Sequence, residues 1–306
     1  MKKILFYIFA VIALVSCGNS YETQKRIDRE RQLELKREDS LALKVAVVPT
    51  LDCLPIYVAA DERLFDTLGV DVHLKAFRAQ MDCDQAVLNG VADGMVSDLV
   101  RTERMRIGGV PMTYLTATGA YWQLFSNRKA RLKSLEQMGD KMIAMTRYSA
   151  TDYLTEESLR GVKTKASVFR VQINDVQVRL RMLLNNEMDA AWLTEPLATA
   201  ARLKGHREIA DSRDRFVSLG VVAFNSKAVA GERRQKQLAA FAKAYDMACD
   251  SINKNGLKHY SALFEKWYGI DKNTVNALPK SKFLHMAKPR RENVDKAAAF
   301  AKTTVK

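Results

Sequence analysis

The fold of this 306-residue chain is decided in Leu43–Phe65, the stretch LKVAVVPTLDCLPIYVAADERLF. Residues 44–48 are almost wholly apolar and predict a buried strand, which Pro49 ends. A short polar loop follows, and then a helix that begins near Pro55, since proline suits the first helical turn. A buried strand that leads directly into a helix opens an α/β unit, and ligands of such units collect at the loop after the strand. We therefore expect residues 50–53 to form one wall of a ligand cleft.

The alternation of strands and helices continues along most of the chain. Residues 43–118 predict parallel strands with right-handed crossovers, and a similar run occupies residues 141–205. The two runs contain similar stretches, VLNGVADGMVSDL at 87–99 and LLNNEMDAAWLTEP at 183–196. Residues 230–303 read as helices. These patterns predict an α/β protein with two lobes, two crossings between them and a helical C-terminal tail.

The N-terminal residues predict export and a lipid anchor. Two lysines precede an apolar run over residues 4–15, which is too short to span a bilayer comfortably and is typical of a signal-peptide core. The run ends in LVSCG, residues 14–18, which resembles a bacterial lipobox. We therefore predict a signal peptide at residues 1–16, lipidation of Cys17, and a protein held at the periplasmic face of a bacterial membrane. A plain secretory signal or a short membrane anchor is the alternative.

Residues 17–42 form a mixed-charge segment in which acidic and basic residues nearly cancel and few large apolar residues occur. An ion-paired helix is one interpretation. Because the segment has no apolar stripe to bury, we interpret it as a solvated tether between the lipid and the folded body. No second long apolar run follows, so we expect nothing else in the chain to span a membrane.

Composition narrows the class of function. Lysine and arginine exceed aspartate and glutamate by 49 to 35, which gives a formal net charge of +14. These basic residues are dispersed over several predicted helices, and export argues against nucleic acid, so we expect solvated faces and no nucleic-acid partner. The four histidines and four cysteines lack metal-ligand spacing, and no nucleophile, metal or nucleotide motif occurs. The sequence thus predicts no metal, no cofactor and no catalytic residue.

Two cysteines lie near the predicted cleft. Cys53 and Cys83 follow the first and second predicted strands, which should be neighbours in the sheet. Their loops could meet within disulfide range, in a compartment where disulfides form. Two alternatives are open here: a Cys53–Cys83 disulfide, or two free thiols in the cleft.

Several short motifs resemble the solute-binding proteins of ABC importers, in particular the nitrate, taurine/alkanesulfonate and thiamine-pyrimidine-precursor (NMT1/THI5-like) binders. These motifs are YVAA at 57–60, LF at 64–65, LGVDV at 68–72, LNGVAD at 88–93, DAA at 189–191, EP at 195–196 and NS at 225–226. Their order and spacing cover the chain from Leu43 to its C-terminus. The resemblance implies an α/β fold of the two-lobed, type II periplasmic-binding-protein kind. Each lobe is then a mainly parallel sheet flanked by helices.

The resemblance also implies a division of the chain and a role. Residues 43–122 plus 223–306 form lobe 1 and residues 123–222 form lobe 2, with two hinge crossings that let the lobes close over a ligand. The implied protein is a monomer, tethered to the membrane, that delivers a small organic ligand to an ABC permease and performs no chemistry. The ligand classes that fit are a sulfonate, a carboxylate and a pyrimidine-like compound.

Ligand-binding residues are expected in the loops that leave the strands and face the cleft. The candidates are Thr50, Asp52, Cys53, Gln80, Ser97, Asp98, Thr118, Arg147, Tyr148, Ser149, Thr151, Asn174, Asp175, Trp192, Thr194 and Glu195. Those that precede helices have an alternative role as helix caps, namely Ser97, Asp98, Ser149, Asn174 and Asp175. Trp192 ends an apolar strand and is alternatively part of the core.

Arg147 is the candidate with the clearest chemistry. It lies beside the start of a predicted helix, where backbone N–H groups favour an anion, and its guanidinium can grip a carboxylate, sulfonate or phosphate in two places. A surface ion pair is the alternative. The acidic candidates at positions 52, 98, 175 and 195 favour an amine or aminopyrimidine instead, because a buried carboxylate needs a partner. The sequence leaves both ligand classes open.

Two other functions remain as alternatives. An enzyme on the same scaffold, of the pyrimidine-synthesis or menaquinone-pathway type, would need an activated nucleophile, and Cys53 with a distant histidine is the only candidate. A sensor or adhesion lipoprotein would bind another protein instead of a small molecule.

Overall fold

The computed structural model describes residues 21–215 and 217–304. The predicted signal peptide and the lipidated Cys17 lie outside these residues. The chain divides into two units, residues 1–42 and residues 43–306. Within the described ranges, no helix combines the length and the apolar character that crossing a membrane requires.

The described part of the first unit is a helix, α1 (Tyr21–Leu41), which agrees with the ion-paired helix that is the alternative to a solvated tether. Most of its described side chains are exposed. Its residues are chiefly Glu, Arg, Lys, Gln and Leu, which lose little rotamer freedom in a helix. An i,i+4 ion pair between Arg26 and Glu30, with N···O 3.9 Å, adds a small contribution. Local propensity therefore suffices for a helix although no apolar face is buried.

The second unit contains two five-stranded sheets. The strands are β1 (Leu43–Val47), β2 (Val72–Ala76), β3 (Gly94–Asp98), β4 (Met112–Ala117), β5 (Gln123–Ser126), β6 (Met142–Met145), β7 (Phe169–Gln172), β8 (Ala190–Leu193), β9 (Arg207–Asp211) and β10 (Gly220–Asn225). The first sheet has the order β2-β1-β3-β10-β4 and the second the order β7-β6-β8-β5-β9. The predicted two-lobed α/β fold is confirmed.

Each sheet is mainly parallel and has one strand of opposite direction. In the first sheet β10 runs antiparallel to both β3 and β4, and in the second β5 runs antiparallel to both β8 and β9. Both of these strands directly follow a crossing from the other lobe, so the chain enters the sheet from the opposite end. The remaining strands are joined by helices, as parallel strands require.

Helices cover both sheets. In the second unit they are α2 (Leu54–Asp61), α3 (Leu64–Thr67), α4 (Gln80–Leu88), α5 (Leu99–Ile107), α6 (Ala150–Leu159), α7 (Val176–Leu184), α8 (Leu197–Leu203), α9 (Glu232–Asn255), α10 (Ser261–Tyr268), α11 (Lys272–Ala277) and α12 (Arg291–Thr304). Helix α9 packs on the first sheet through Phe241, whose ring stacks on Phe65 with centroids 5.4 Å apart and meets Phe224 edge-on at 5.8 Å. The core of this lobe is therefore closed by the C-terminal half of the chain.

Two segments cross between the lobes, one from β4 to β5 and one that leads into β10. They are hydrogen bonded to each other, since the N–H of Thr118 donates to the carbonyl of Gly220 at 2.9 Å. An extended segment between α11 and α12, residues 278–290, lies against the first crossing, where Ala117 N–H donates to Ala287 O at 2.7 Å. Helix α12 then reaches the second lobe, where Phe300 meets the ring of Tyr153 on α6, with centroids 5.4 Å apart.

Candidate ligand-binding cleft

The loops that leave the strands of the two sheets meet in a small cleft between the lobes. Its cavity has a volume of about 30 Å³, with room for little more than a few water molecules. The lining residues are Thr50, Asp52, Gln80, Asp98, Trp122, Thr146, Ser149, Thr151, Asn174, Val176, Arg179, Trp192 and Thr194. Most of these side chains are polar, and most are buried. The lobes are thus closed upon a polar interior.

Direct contacts between the lobes hold the cleft shut. The N–H of Leu51, in the loop after β1, donates to the carbonyl of Glu195, in the loop after β8, at 2.8 Å. Ala79 forms an isolated antiparallel bridge with Asp175. At the rim, the guanidinium of Arg104 on α5 lies 4.5 Å from the ring centroid of Tyr148. Each contact joins one lobe to the other, so all of them must break when the lobes separate.

Nine of the sequence-predicted residues line this cleft. They are Thr50, Asp52, Gln80, Asp98, Ser149, Thr151, Asn174, Trp192 and Thr194. Ser149 also caps α6 by accepting a hydrogen bond from Thr151 N–H, so its predicted alternative role is present as well. Trp192 is fully buried and its Nε1–H donates to Thr155 Oγ1 at 2.9 Å, which makes it part of the core and of the cleft wall at once.

Arg147 does not lie in the cleft, contrary to the sequence prediction. Its side chain is exposed and lines a shallow depression with Phe169, Arg170 and Asp189 on another face of the lobe. The chain turns sharply here, because Tyr148 adopts a left-handed conformation with φ 58°. That turn directs Thr146 and Ser149 inward and leaves Arg147 outside.

The arginine that does reach the cleft is Arg179, on α7, which the sequence prediction had grouped with the dispersed surface charges. It is 3% exposed and lines the cavity. Its Nε–H and one Nη2–H donate to Ile173 O at 3.2 and 2.7 Å, Nη1–H donates to Trp192 O at 2.9 Å, and Nη2–H donates to Thr146 Oγ1 at 2.7 Å. Burial lowers the pKa of this guanidinium to about 10, which the charge of Asp175 partly offsets.

A sequence signal for Arg179 existed. Val176, Leu180 and Leu183 recur at helical spacing, and Arg179 falls on the same face of α7, where it is buried with Leu180 and Leu183. A basic residue within an apolar stripe is buried and must find hydrogen-bond acceptors. Periodicity therefore distinguishes Arg179 from the exposed Arg181 on the same helix.

Other predicted residues lie away from the cleft. Asp175 caps α7, its Oδ1 accepting from the N–H groups of Gln177 and Val178 at 2.8 and 3.0 Å. Ser97 is buried beneath Asp98, and its Oγ makes no hydrogen bond to any described residue. Tyr148 lies at the rim. Tyr148 and Asp175 follow a strand as predicted, whereas Ser97 lies within β3.

The cysteines form no bridge in the structure. Cys53 and Cys83 are both free and fully buried, so they are neither the predicted disulfide nor thiols open to the cleft. Burial raises the pKa of the Cys53 thiol well above its ordinary value, and the charge of Asp52 adds to the rise. A thiol in this environment packs as a small apolar group and is a poor nucleophile.

Asp98 is the most deeply buried acid of the cleft, with no solvent exposure. Its Oδ1 accepts a hydrogen bond from Arg101 N–H at 3.0 Å and so caps α5. Its Oδ2 has no hydrogen-bond partner in the described part of the chain. Burial raises the pKa of this carboxyl to about 6, and the charge of Arg101 and the backbone N–H groups of Arg101 and Ala150 only partly offset the rise.

This raised pKa predicts that Asp98 makes the protein less stable at neutral pH than in acid. The folded pKa of about 6 exceeds the ordinary value of 3.8, so between these pH values the folded protein keeps a proton that the unfolded chain releases. The free energy of unfolding therefore falls as pH rises through this window and stays lower above it. The loss at neutral pH is on the order of 3 kcal/mol.

Asp98→Asn tests this prediction, since the amide oxygen can still cap α5. We expect the variant to melt at a higher temperature than the wild type at pH 7.5 and at the same temperature at pH 4. The other raised carboxyls, Asp52 and Asp84, titrate in both proteins and cancel in the comparison. A difference in melting temperature that is the same at both pH values would contradict the prediction.

A second, larger cavity lies on the side of the crossings that faces residues 281–290. Its volume is about 560 Å³, within the range of small-molecule sites. Asp52 and Thr194 line both cavities, and the predicted Thr118 and Glu195 line only this one. Thr118 Oγ1 donates to Asp52 Oδ2 at 2.9 Å, so the crossing and the cleft are directly connected.

Glu195 lines this second cavity, and both of its carboxylate oxygens contact other residues of the protein. It is 2% exposed, and its Oε2 accepts from Thr199 N–H at 2.9 Å, which satisfies the start of α8. Its Oε1 lies 3.6 Å from Arg202 Nη1. The other wall carries Arg213, whose guanidinium stacks over the ring of Tyr121 at 4.1 Å. The predicted ligand contact at Glu195 is therefore occupied by the protein itself.

Comparisons with solved structures agree with this architecture. The periplasmic aliphatic sulphonate binding protein SsuA of Escherichia coli aligns with a TM-score of 0.68 and 14% identity, covering 86% of this chain and 90% of the other. The periplasmic nitrate-binding protein NrtA of Synechocystis PCC 6803 aligns with a TM-score of 0.64 and 13% identity, covering 76% and 68%. At these identities the likeness shows a shared fold.

A protein of Bordetella bronchiseptica RB50 aligns with a TM-score of 0.72 and 19% identity, covering 85% of this chain and 90% of the other. None of the curated proteins compared with the chain matches it. A model of one protein family, described as NMT1/THI5 like, matches residues 50–255, which is more than half of the chain and spans both sheets. The chain therefore belongs to the NMT1/THI5-like family.

Proposed function

We propose that this protein is a solute-binding protein that captures a small organic ligand between its lobes and delivers it to an ABC importer. The observation that carries the proposal is the cleft. Buried polar side chains from the strand ends of both sheets converge there, and two crossings join the sheets in the described part of the chain. Such a cleft holds a ligand on both sides and closes around it. The names of the aligned sulphonate- and nitrate-binding proteins support the same role.

The proposal extends to the cellular setting, with the protein acting as a monomer within reach of a permease. A lipobox-like LVSCG, followed by a charged segment, supports anchoring through Cys17 at the periplasmic face of a bacterial membrane. The sixteen loop residues predicted from sequence are proposed as ligand contacts only where they line the cleft, and Arg179 joins them.

Binding without turnover is part of the proposal. The enzyme alternative relied on Cys53 as nucleophile, and a fully buried thiol with a raised pKa does not support it. Two of the aligned proteins, SsuA and NrtA, are named as a sulphonate-binding and a nitrate-binding protein, which supports binding without turnover.

Native mass spectrometry of protein purified without refolding tests the proposal. We expect a co-purified small molecule of a few hundred daltons that is lost on unfolding. Adding the same molecule back should raise the melting temperature, because a ligand at a hundred times its Kd stabilises the folded state by about 2.7 kcal/mol. If no molecule co-purifies and no permease gene lies near the gene of this protein, the proposal is refuted. That result would favour the alternative function as a sensor lipoprotein.

A further inference from the structure

The charges that line the cleft are unbalanced toward the negative. Its charged residues are Asp52, Asp98 and Arg179, two acids and one base. The remaining lining residues are neutral. The closed cleft is therefore anionic in spite of the basic composition of the whole chain, and a ligand that neutralises it carries positive charge or several hydrogen-bond donors.

The one base of the cleft is not free to grip an anion. A guanidinium has five N–H groups, and the bonds of Arg179 to Ile173 O, Trp192 O and Thr146 Oγ1 use four of them. A two-pronged grip on a sulfonate or carboxylate needs two free N–H groups side by side. Arg179 thus shapes the wall of the second lobe and lacks the free pair of donors that an anionic ligand would need.

The acids of the cleft, in contrast, have acceptor capacity to spare. Asp98 Oδ2 is fully buried and makes no hydrogen bond within the described ranges. The side chain of the nearest cation, Arg101, forms a close ion pair with Asp84, and its hydrogen bond to Asp98 comes from its backbone N–H. The charge of Arg101 and the backbone N–H of Ala150 lower the pKa of Asp98 without bringing it back to its ordinary value. Asp52 Oδ2 accepts a hydrogen bond from Thr118, and hydrogen bonding from Thr50 and Thr118 only partly offsets the rise in pKa that burial causes at Asp52. A buried carboxylate oxygen without a donor costs free energy until something donates to it.

We propose that Asp98 is the specificity-determining residue of the cleft and that it receives an N–H donor from a cationic nitrogen ligand of the amidine, guanidine or protonated-amine class. This inference rests on the proposed function, since it concerns the same cleft. The pKa of about 6 at Asp98 fits it, because a cation that docks there lowers that pKa and recovers the free energy that burial costs.

Matched pairs of probes test the ligand class by isothermal titration calorimetry at pH 7.5. Guanidinium and nitrate are planar ions of similar shape and opposite charge, and benzamidine and benzoate form a second such pair. We expect the cation of each pair to bind at least tenfold more tightly than its anion. Tighter binding of the anion in either pair would overturn the inference and would leave ligand capture in the cleft intact.

Two variants test the residue. Asp98→Asn keeps the cap on α5 and removes the charge, and we expect it to weaken binding of both cations at least tenfold. Asp271→Asn is the matched control, since Asp271 caps α11 in the same way but is exposed and lies outside the cleft. Unchanged cation affinity in Asp98→Asn, or an equal loss in Asp271→Asn, overturns the inference.

Failure of the inference and failure of the proposed function are distinguishable. If none of the four probes binds, the co-purified molecule found by native mass spectrometry decides by its charge: a cationic nitrogen compound supports the role of Asp98, and an anion refutes it. If no probe binds and no molecule co-purifies, both the ligand class and the solute-binding role are refuted.

Discussion

Replacing Arg179 by methionine is expected to destabilise the second lobe by about 3 kcal/mol, as each buried acceptor left without a donor costs roughly 1–3 kcal/mol. Two carbonyls, those of Ile173 and Trp192, and the hydroxyl of Thr146 would lose their donor. Relief from burying an unpaired cation offsets part of this cost. In a domain of this size the loss corresponds to a fall in melting temperature on the order of 5–10 °C.

Arg181→Met is the matched control for Arg179→Met. The two arginines lie two residues apart on α7, and Arg181 is exposed. Its removal should change the melting temperature by no more than a surface substitution does, roughly 0.5 kcal/mol. Both variants are measured by calorimetry at one pH and salt concentration. Similar melting temperatures for the two would show that the hydrogen bonds of Arg179 do not stabilise the wall of the cleft.

Gly220→Ala is the second change with a large expected effect, and it acts on the crossings. A Cβ at Gly220 would lie 2.2 Å from Thr118 Oγ1 and 2.6 Å from Ala120 Cβ, both in the other crossing. The two segments must therefore move apart, and overpacking of this kind costs typically 1–3 kcal/mol. Because Thr118 also donates to Asp52, we expect weaker ligand binding together with the lower stability.

The control for Gly220→Ala lies in the same hinge. A Cβ added at Gly119 meets no described atom within 4 Å, so Gly119→Ala should leave the melting temperature nearly unchanged. Thermal melts and titration of the co-purified ligand on both variants make the comparison. If the two variants were equally stable, the close packing of Gly220 against Thr118 and Ala120 would be contradicted.

Much of the fold was predictable from local patterns. Residues 43–65 gave a strand, a loop and a helix in that order, and the structure places β1, the turn and α2 there. Apolar runs suffice for this, because both β1 and nearly the whole of α2 are buried and an apolar run indicates such burial. For residues 21–41 the sequence favoured a solvated tether over an ion-paired helix, because propensity alone sustains this helix and no apolar periodicity marks it.

The site was predictable only to the level of loops. Sequence shows which residues follow a strand, but the conformation of a few backbone residues decides which way each side chain points. Arg147 and Thr146 are adjacent, and a single left-handed residue, Tyr148, leaves one exposed and the other in the cleft. The net charge of the cleft could not be predicted from the sequence for the same reason, since it depends on which acidic side chains point into the cleft.

The position of β10 has a consequence for how the chain is made. The second sheet, β5 to β9, comes from one continuous stretch, whereas the first sheet lacks the strand between β3 and β4 until residues 220–225 are present. During synthesis from the N-terminus, β4 therefore has no neighbour to pair with while the whole second lobe emerges. The first lobe, whose strands begin the folded body, is therefore completed last. By then the second lobe has all of its strands and can already have formed its core.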